Sequence, residues 1–304
     1  MAGVTSDSTQ TEMGPFDRVQ LGRRRDRAAP NFADHSFLLD EVSLRLAERL
    51  DDIKRSFPLA VDLGCHDGRL AGHLSDRSGI EQLVQCDISQ AMTAQTEGAY
   101  RVVADEEWLP FAAGRLDLVI SALSLHWVND LPGALIQIRR ALKPDGLFLG
   151  AFMGGATLAG LRAAFLDAES ELEGGASPRV SPFADVRDGG DLLQRAGFAL
   201  PVANTETLEV SYAAPAALLA DLRGMGETNA IAARRRTFLR KSTLARALAL
   251  YQERHRRADG RVTASFEIIF LTGWAPGPGQ PQALNPVSGQ VSMTKVLGGD
   301  GGGD

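Results

Sequence analysis

Residues 59–68 read Leu-Ala-Val-Asp-Leu-Gly-Cys-His-Asp-Gly, an apolar run that turns at once into a glycine-rich segment. The run Leu59–Leu63 is typical of a strand that is buried on both faces. Glycines directly after such a strand let the backbone approach a ligand closely, and the amides that open the next helix bind polar groups. The stretch therefore predicts a strand–turn–helix unit with a ligand site at Gly64–Gly68.

Apolar runs and helical segments alternate on both sides of this unit. The further runs predicted as strands are Leu83–Ile88, Arg101–Ala104, Leu116–Leu123 and Leu147–Met153. The segments with helical spacing are Phe37–Leu50, Arg69–Asp76 and Leu131–Leu142. Alternation of strands and helices with nearly continuous apolar strands predicts a parallel sheet that helices cover on both faces.

The last third of the chain has a different pattern. Gly189–Ala196 is predicted as a helix, and Leu208–Tyr212 and Ala264–Trp274 are predicted as strands. Between these two strands lies Pro215–Arg257, which is basic and rich in helical spacing. Because strands flank it on both sides, we interpret it as a helical insertion into one domain, 15–275. Residues 1–14 are expected to be a disordered lead-in and 276–304 a flexible Gly/Pro-rich tail.

Composition narrows the class of protein and its partners. The 304 residues are 44% hydrophobic and 23% charged, values that exclude global disorder, coiled coil and collagen. The net charge of −6 provides no steering field for nucleic acid, so a nucleic-acid partner is not expected. Two basic clusters, in 23–27 and 234–241, are interpreted either as solvated helix faces or as docking sites. Two cysteines and no secretory or transit signal predict a cytoplasmic protein.

Carboxylates follow the strands next to the glycine turn. Asp87 ends the second strand, 19 residues after Gly68, where a carboxylate can accept hydrogen bonds from ribose hydroxyls. Asp105 follows the third strand and can accept an adenine amino proton. In the alternative interpretation, Asp62, Asp87 and Asp105 only form turns at strand ends.

The stretch Asp62-Leu63-Gly64-Cys65-x-x-Gly68, with Asp87 and Asp105, resembles the first motifs of class I S-adenosylmethionine-dependent methyltransferases. This resemblance implies a Rossmann-like α/β fold with a doubly wound, mostly parallel seven-stranded sheet, and S-adenosyl-L-methionine as cofactor. His66 stands where the family has a glycine, and its side chain is expected to crowd the amino-acid end of the cofactor. The resemblance extends the predicted cofactor site to Cys65, His66, Ile88, Glu106 and Ser121.

A second resemblance is carried by Ser121–Pro132, by Phe16-Asp17-Arg18 and by Gly224-Met225-Gly226-Glu227. These segments are similar to a family of respiratory complex I assembly factors from mitochondria and alphaproteobacteria. The resemblance implies an enzyme that modifies an arginine on an iron–sulfur subunit of NADH:quinone oxidoreductase, either by methylation or by the hydroxylation credited to the mitochondrial members of the family. It also implies peripheral contact with the inner membrane through that complex. Two alternatives stay open: carboxyl O-methylation of an acyl-carrier-protein substrate, as in biotin synthesis, and a non-catalytic assembly chaperone.

Two residues are predicted to be catalytic. His126 follows the fourth strand, where an imidazole can accept a proton or orient a substrate, although it can also simply pack over the strand end. Glu227 lies in a glycine-containing bend and, with Asn229, can hold a guanidinium, or alternatively cap a helix. The five histidines begin no His-x-Asp or His-x-Glu pair, so no metal site is predicted.

Overall fold

The computed structural model describes residues 14–74, 77–181, 186–278 and Gln280. The predicted lead-in 1–14 and tail 276–304 lie almost entirely outside these residues, so both stay predictions. Within them, no helix is long and apolar enough to cross a membrane. The same residues contain no group of three or more His, Cys, Asp or Glu side chains arranged to hold a metal ion.

Seven strands form one sheet in the order β3-β2-β1-β4-β5-β7-β6. The strands β1 to β5 are parallel, whereas β7 runs antiparallel to β5 and β6 antiparallel to β7. This confirms the predicted Rossmann-like, mostly parallel seven-stranded sheet. The strands are β1 (Leu59–Leu63), β2 (Gln82–Asp87), β3 (Tyr100–Val103), β4 (Leu116–Ala122), β5 (Leu142–Met153), β6 (Ala199–Tyr212) and β7 (Val262–Trp274).

Helices cover both faces of the sheet because the central strands are apolar on both. In β4, Leu118 and Ile120 pack into one hydrophobic cluster, and Val119 packs into a second cluster on the opposite face. Helices α2, α6 and α9 contribute to the first cluster, and α5 and α7 to the second. The helices are α1 (Arg18–Ala28), α2 (Phe37–Asp51), α3 (Arg69–Leu74), α4 (Gln90–Thr93), α5 (Leu131–Ala141), α6 (Ala159–Glu173), α7 (Val186–Arg195), α8 (Pro215–Gly224) and α9 (Lys241–His255).

The sequence prediction differs from the structure in the bounds of β6 and β5, and it omits helices α4 and α6 as well as α1. Strand β6 begins at Ala199 rather than Leu208, since most of it is an exposed edge strand without an apolar run. Strand β5 already begins at Leu142 and continues through Asp145, whose backbone takes the left-handed conformation with φ 62°. Helix α1 was not predicted at all. The insertion between β6 and β7 consists of α8, a connecting loop and α9.

The strand order places the candidate site. The chain reverses its direction of strand addition between the neighbouring strands β1 and β4, which is where ligands bind in open α/β sheets. The turn Gly64–Gly68, the end of β2 at Asp87 and the segment after β4 therefore meet at one edge of the sheet.

Candidate active site

The glycine turn connects β1 to α3 through left-handed backbone conformations. The φ angles are 73° at Gly64, 50° at His66 and 87° at Gly68. Glycine adopts such angles without strain, whereas a side chain there costs about 1–2 kcal/mol. A Cβ atom at Gly64 would collide with the side chain of Ser124. The turn thus requires glycine at its first position and accepts His66 only under backbone strain.

Asp87 lies fully buried at the end of β2 and faces this turn. Its Oδ1 accepts a hydrogen bond from the Ser89 amide at 2.7 Å, and its Oδ2 accepts one from the His66 amide at 3.1 Å. The Oδ2 atom also lies 2.9 Å from Nη1 of Arg25. The carboxylate predicted to bind ribose therefore contacts the glycine turn, and an arginine of α1 is its partner.

Arg25 is wholly buried in the middle of the site. Besides its ion pair with Asp87, Nη1 lies 3.5 Å from Glu106 Oε1, and Nη2 donates to Ser124 Oγ at 3.1 Å. Burial opposes the charge on this guanidinium, but the carboxylates of Asp87 and Glu106 outweigh that effect and raise the pKa of Arg25. Arg25 thus remains a cation among buried anions.

Arg18 lies on the same helix as Arg25 and contacts the carboxylates of Asp105 and Glu106. Its Nη2 lies 2.6 Å from Asp105 Oδ1 and also pairs with Glu106, which is fully buried. Although burial alone would raise the pKa of Glu106, Arg18 and Arg25 hold it near 2. Two of the carboxylates predicted for the cofactor, Asp87 and Asp105, thus each bind an arginine of α1. The predicted residue Ile88 borders the same region, in a depression of about 300 Å³ that Asp105 also lines.

Buried polar atoms without partners lie beneath the glycine turn. Both carboxylate oxygens of Asp62, the Oγ of Ser121 and the Nδ1 of His66 have no hydrogen bond to other residues that the structure describes. Burial and the nearby charge of Asp87 raise the pKa of Asp62. Buried polar groups are nearly always hydrogen-bonded in proteins, so such a cluster is typical of a site that water or a ligand completes.

His66 is buried and stacks on Phe32, with ring centroids 5.6 Å apart. Its Nε2 lies 3.3 Å from the Leu123 carbonyl oxygen and donates to it. Burial and the positive charge of Arg25 lower the pKa of His66 to about 4. The imidazole is therefore neutral at physiological pH and contributes no charge. The predicted Cys65 is a buried free thiol whose pKa is raised by burial.

The two residues predicted to be catalytic are joined in a pair. His126 Nε2 lies 3.0 Å from Glu227 Oε2, although 101 positions separate them in the sequence. Trp127 Nε1 donates to the same oxygen at 2.7 Å. Burial opposes the charge on Glu227, but the attraction of His126 and Arg25 prevails and lowers its pKa. Glu227 is thus a buried carboxylate anion. Asn229 is not available beside it, because its side chain bonds the Pro178 carbonyl and the Ile231 amide.

A cavity of about 390 Å³ extends from this pair beneath the helical insertion. Its walls are mainly apolar and come from α6, α8, the loop before α9 and the start of α9. A second cavity of about 20 Å³ reaches His66 from the other side. Glu227 and Met153 line both cavities. Glu227 therefore stands where the apolar cavity meets the glycine turn.

The sequence interpretation missed Arg18, Arg25, Ser124 and the role of the Trp127 indole. A signal for Arg25 was present: Leu21, Arg25 and Ala28 share the buried face of α1, whereas its neighbours in the basic cluster 23–27 are wholly or partly exposed. That spacing follows the helical period and separates the buried arginine from the others.

Comparison with known proteins shows which domain family and which fold the chain has. Residues 61–150 match the methyltransferase domain family. The crystal structure of YcgJ from Bacillus subtilis superimposes with a TM-score of 0.54 at 13% identity, covering 76% of this chain and 97% of that one. At that identity the likeness shows the fold alone, and the fold is that of class I methyltransferases.

Relatives with higher sequence identity show the particular family to which the chain belongs. The human mitochondrial arginine-hydroxylase NDUFAF5 is 43% identical over 300 residues, which cover 97% of this chain and 86% of the relative. The zebrafish protein of the same name is 41% identical over 297 residues, 96% of this chain and 92% of the relative. The chain therefore belongs to the NDUFAF5 family of methyltransferase-fold enzymes. A malonyl-[acyl-carrier protein] O-methyltransferase from Methylovorus is 34% identical, over 90% of this chain and 94% of the relative.

Proposed function

We propose that this chain binds S-adenosyl-L-methionine at the sheet edge and modifies an arginine side chain of a protein, an iron–sulfur subunit of respiratory complex I. The arginine-hydroxylase name of its relatives supports the type of target. The methyltransferase domain match supports the cofactor. We place the reaction in the cytoplasm, with contact to the inner membrane through the partner complex.

The residues at the sheet edge fit this cofactor. Asp87 and Asp105 would hold its ribose and adenine, and the turn Gly64–Gly68 would hold its amino-acid end. The partnerless polar atoms of Asp62 and Ser121 agree with a polar ligand or its water shell at this place. When bound, the cofactor supplies an electrophilic methyl group. A ligand that uses both oxygens of Asp87 competes with Arg25, so the position of α1 and cofactor binding are coupled.

The observation that carries the arginine target is the buried carboxylate of Glu227. Both of its hydrogen bonds, from His126 and Trp127, fall on Oε2. The other oxygen, Oε1, has no hydrogen bond to the described part of the chain and is left for a further donor. A guanidinium that enters through the cavity would meet this oxygen and form a charge-assisted hydrogen bond.

The same carboxylate disfavours an acidic acceptor. Malonyl thioesters carry a carboxylate, and a second anion next to buried Glu227 would be repelled in a region of low dielectric. The described cavity is therefore better suited to a cation with an apolar stem, such as an arginine side chain.

The chain's own residues define the chemistry of acceptor binding. The apolar walls exclude water from the guanidinium, and Glu227 orients it toward the glycine turn. Transfer to a guanidinium nitrogen releases one proton, and the Glu227–His126 pair lies where that proton can be accepted. Most of the remaining acceleration would come from positioning, because the transfer would be an in-line displacement in which the N–C bond forms as the S–C bond breaks and the neutral thioether S-adenosylhomocysteine leaves.

The test replaces Glu227 by glutamine, which keeps the shape and removes the charge. Wild type or variant is co-expressed with the iron–sulfur subunit in cells that lack the native gene, and the intact mass of the subunit is measured. Glu48→Gln is the matched control, because Glu48 is exposed on α2. We expect the wild type and the control to add the mass of one methyl group, or of one oxygen atom if dioxygen and a two-electron reductant of the cell are the co-reactants, and Glu227→Gln to add none. Full modification by a folded Glu227→Gln variant would contradict the proposal.

A further inference from the structure

The segment 234–241 reads Arg-Arg-Arg-Thr-Phe-Leu-Arg-Lys and carries five cations with no acidic residue. It ends the loop between α8 and α9 and continues into the first residue of α9. The chain as a whole has a net charge of −6, so the positive charge of this segment is a local excess. A local excess of one sign on a protein surface steers partners of the opposite sign.

Ion pairing divides these cations into two groups. Arg234 lies 2.9 Å from Asp17, and Arg235 pairs with Glu173. The other three, Arg236, Arg240 and Lys241, are exposed and have no ion pair within the part of the chain that the structure describes. Arg236 and Arg240 are attracted only at longer range, to Asp17 and Glu173 respectively. We call these three residues the basic rim.

Phe238 lies in the middle of the rim and is 100% exposed. It lines the mouth of the 390 Å³ cavity together with Leu239, whose side chain is partly buried. Burial of a phenylalanine side chain is favourable, and Phe238 gains nothing from burial in the chain alone. Aromatic side chains next to arginines are typical of the residues that dominate binding at protein interfaces.

We propose that Phe238 and the basic rim dock an acidic segment of the protein substrate, close to the arginine that enters the cavity. This inference rests on the proposed function, because that function supplies the arginine. Charges of opposite sign lie at two levels: Glu227 lines the cavity, and the three cations lie close in sequence to Phe238, which also lines the cavity. A polypeptide with an arginine beside acidic and apolar residues matches both levels.

A membrane surface would complement the basic rim but not the carboxylate of Glu227. Anionic lipid headgroups would be attracted to the basic rim and would accept Phe238. They offer no cation for Glu227, and the anionic Asp17 and Glu173 lie among the same cations. The arrangement therefore favours a protein segment over a lipid surface.

The experiment compares two double charge reversals. Arg236→Glu with Arg240→Glu alters the rim, and Arg115→Glu with Arg140→Glu makes the same charge change at exposed residues near the start of β4, the opposite edge of the sheet. Phe238→Ser is tested separately. Binding of each full-length variant to the purified iron–sulfur subunit is measured at low and high salt, and thermal melting confirms the fold.

We expect the rim reversal to weaken binding about tenfold at low salt, with a smaller difference at high salt because ions screen the attraction. Phe238→Ser should weaken binding to a similar degree at both salt concentrations, since its contribution is apolar. The control reversal should bind like the wild type. Equal binding by the rim reversal and the control would overturn the proposal.

Two further measurements separate this inference from the function it rests on. If the subunit binds through Phe238 and the rim but gains no mass, the docking surface stands and the proposed function fails. If the rim reversal modifies the subunit at the wild-type rate, the docking surface is wrong and the function stands. If Phe238→Ser abolishes binding to phosphatidylglycerol-containing vesicles but leaves binding to the subunit unchanged, the surface belongs to the membrane and the proposal is overturned.

Discussion

Replacing Arg25 by methionine removes a cation that lies between buried Asp87 and Glu106. The guanidinium pairs with Asp87 at 2.9 Å and with Glu106 at 3.5 Å, and it donates to Ser124 at 3.1 Å. Methionine is also a long, flexible side chain, so little cavity forms and the loss is mainly electrostatic. Removing one partner of a buried ion pair typically costs about 3–5 kcal/mol, because the remaining charge stays buried without compensation.

The stability lost in Arg25→Met should decrease as the pH falls. Arg18 and Arg25 hold the pKa of Glu106 near 2, below the ordinary value of 4.5. A depressed pKa in the folded state stabilises the protein above the unfolded pKa, and that contribution disappears as the pH falls through the folded value. We therefore expect the difference between wild type and Arg25→Met to be largest at neutral pH and to shrink between about 4.5 and 2.

Urea denaturation followed by tryptophan fluorescence measures this difference. Arg27→Met is the matched control, because Arg27 lies on the same helix and is exposed. Exposed substitutions of this kind usually change stability by no more than about 0.5 kcal/mol. A loss below about 1 kcal/mol for Arg25→Met at neutral pH would refute the view that this arginine stabilises the buried carboxylates.

Two further predictions concern the cofactor. Asp87→Ala should weaken S-adenosylmethionine binding by about 1.5–3 kcal/mol, the range for hydrogen bonds to a charged group, as measured by calorimetry against the exposed control Asp34→Ala. Unchanged affinity would show that Asp87 does not bind the ribose. His66→Gly should tighten binding, because the imidazole no longer crowds the turn. Relief of the backbone strain at φ 50° should offset only part of the stability lost with the buried imidazole, which stacks on Phe32. A weaker affinity in that variant would mean that the imidazole itself contacts the cofactor.

The sheet was predictable because its central strands are buried on both faces. Such strands leave continuous apolar runs, as in Leu59–Leu63 and Leu147–Met153, and turn residues mark their ends. Strand β6 has no such run over most of its length, since its side chains are largely exposed at the sheet edge. For that reason only the segment 208–212 was predicted as a strand.

Candidate site residues could be predicted from the sequence only where a polar side chain directly follows a predicted strand. Asp87 and Asp105 could be placed at one edge of the sheet because the parallel order of the strands brings their ends together. The pairing of His126 with Glu227 joins residues 101 positions apart, and no local pattern encodes such a contact. Arg25 was hidden for a similar reason: whether a basic helix residue is solvated or buried depends on the carboxylates that it meets in the folded chain.

If this chain modifies an arginine of the iron–sulfur subunit, the mass of that subunit must change when the gene is present. The iron–sulfur subunit of complex I is isolated from cells with and without the gene, and its intact mass and fragment masses are measured. We expect the subunit from gene-containing cells to carry the added mass of one methyl group or one oxygen atom on an arginine, and the subunit from deletion cells to lack it. An arginine with the same mass in both cells would rule out the proposed modification.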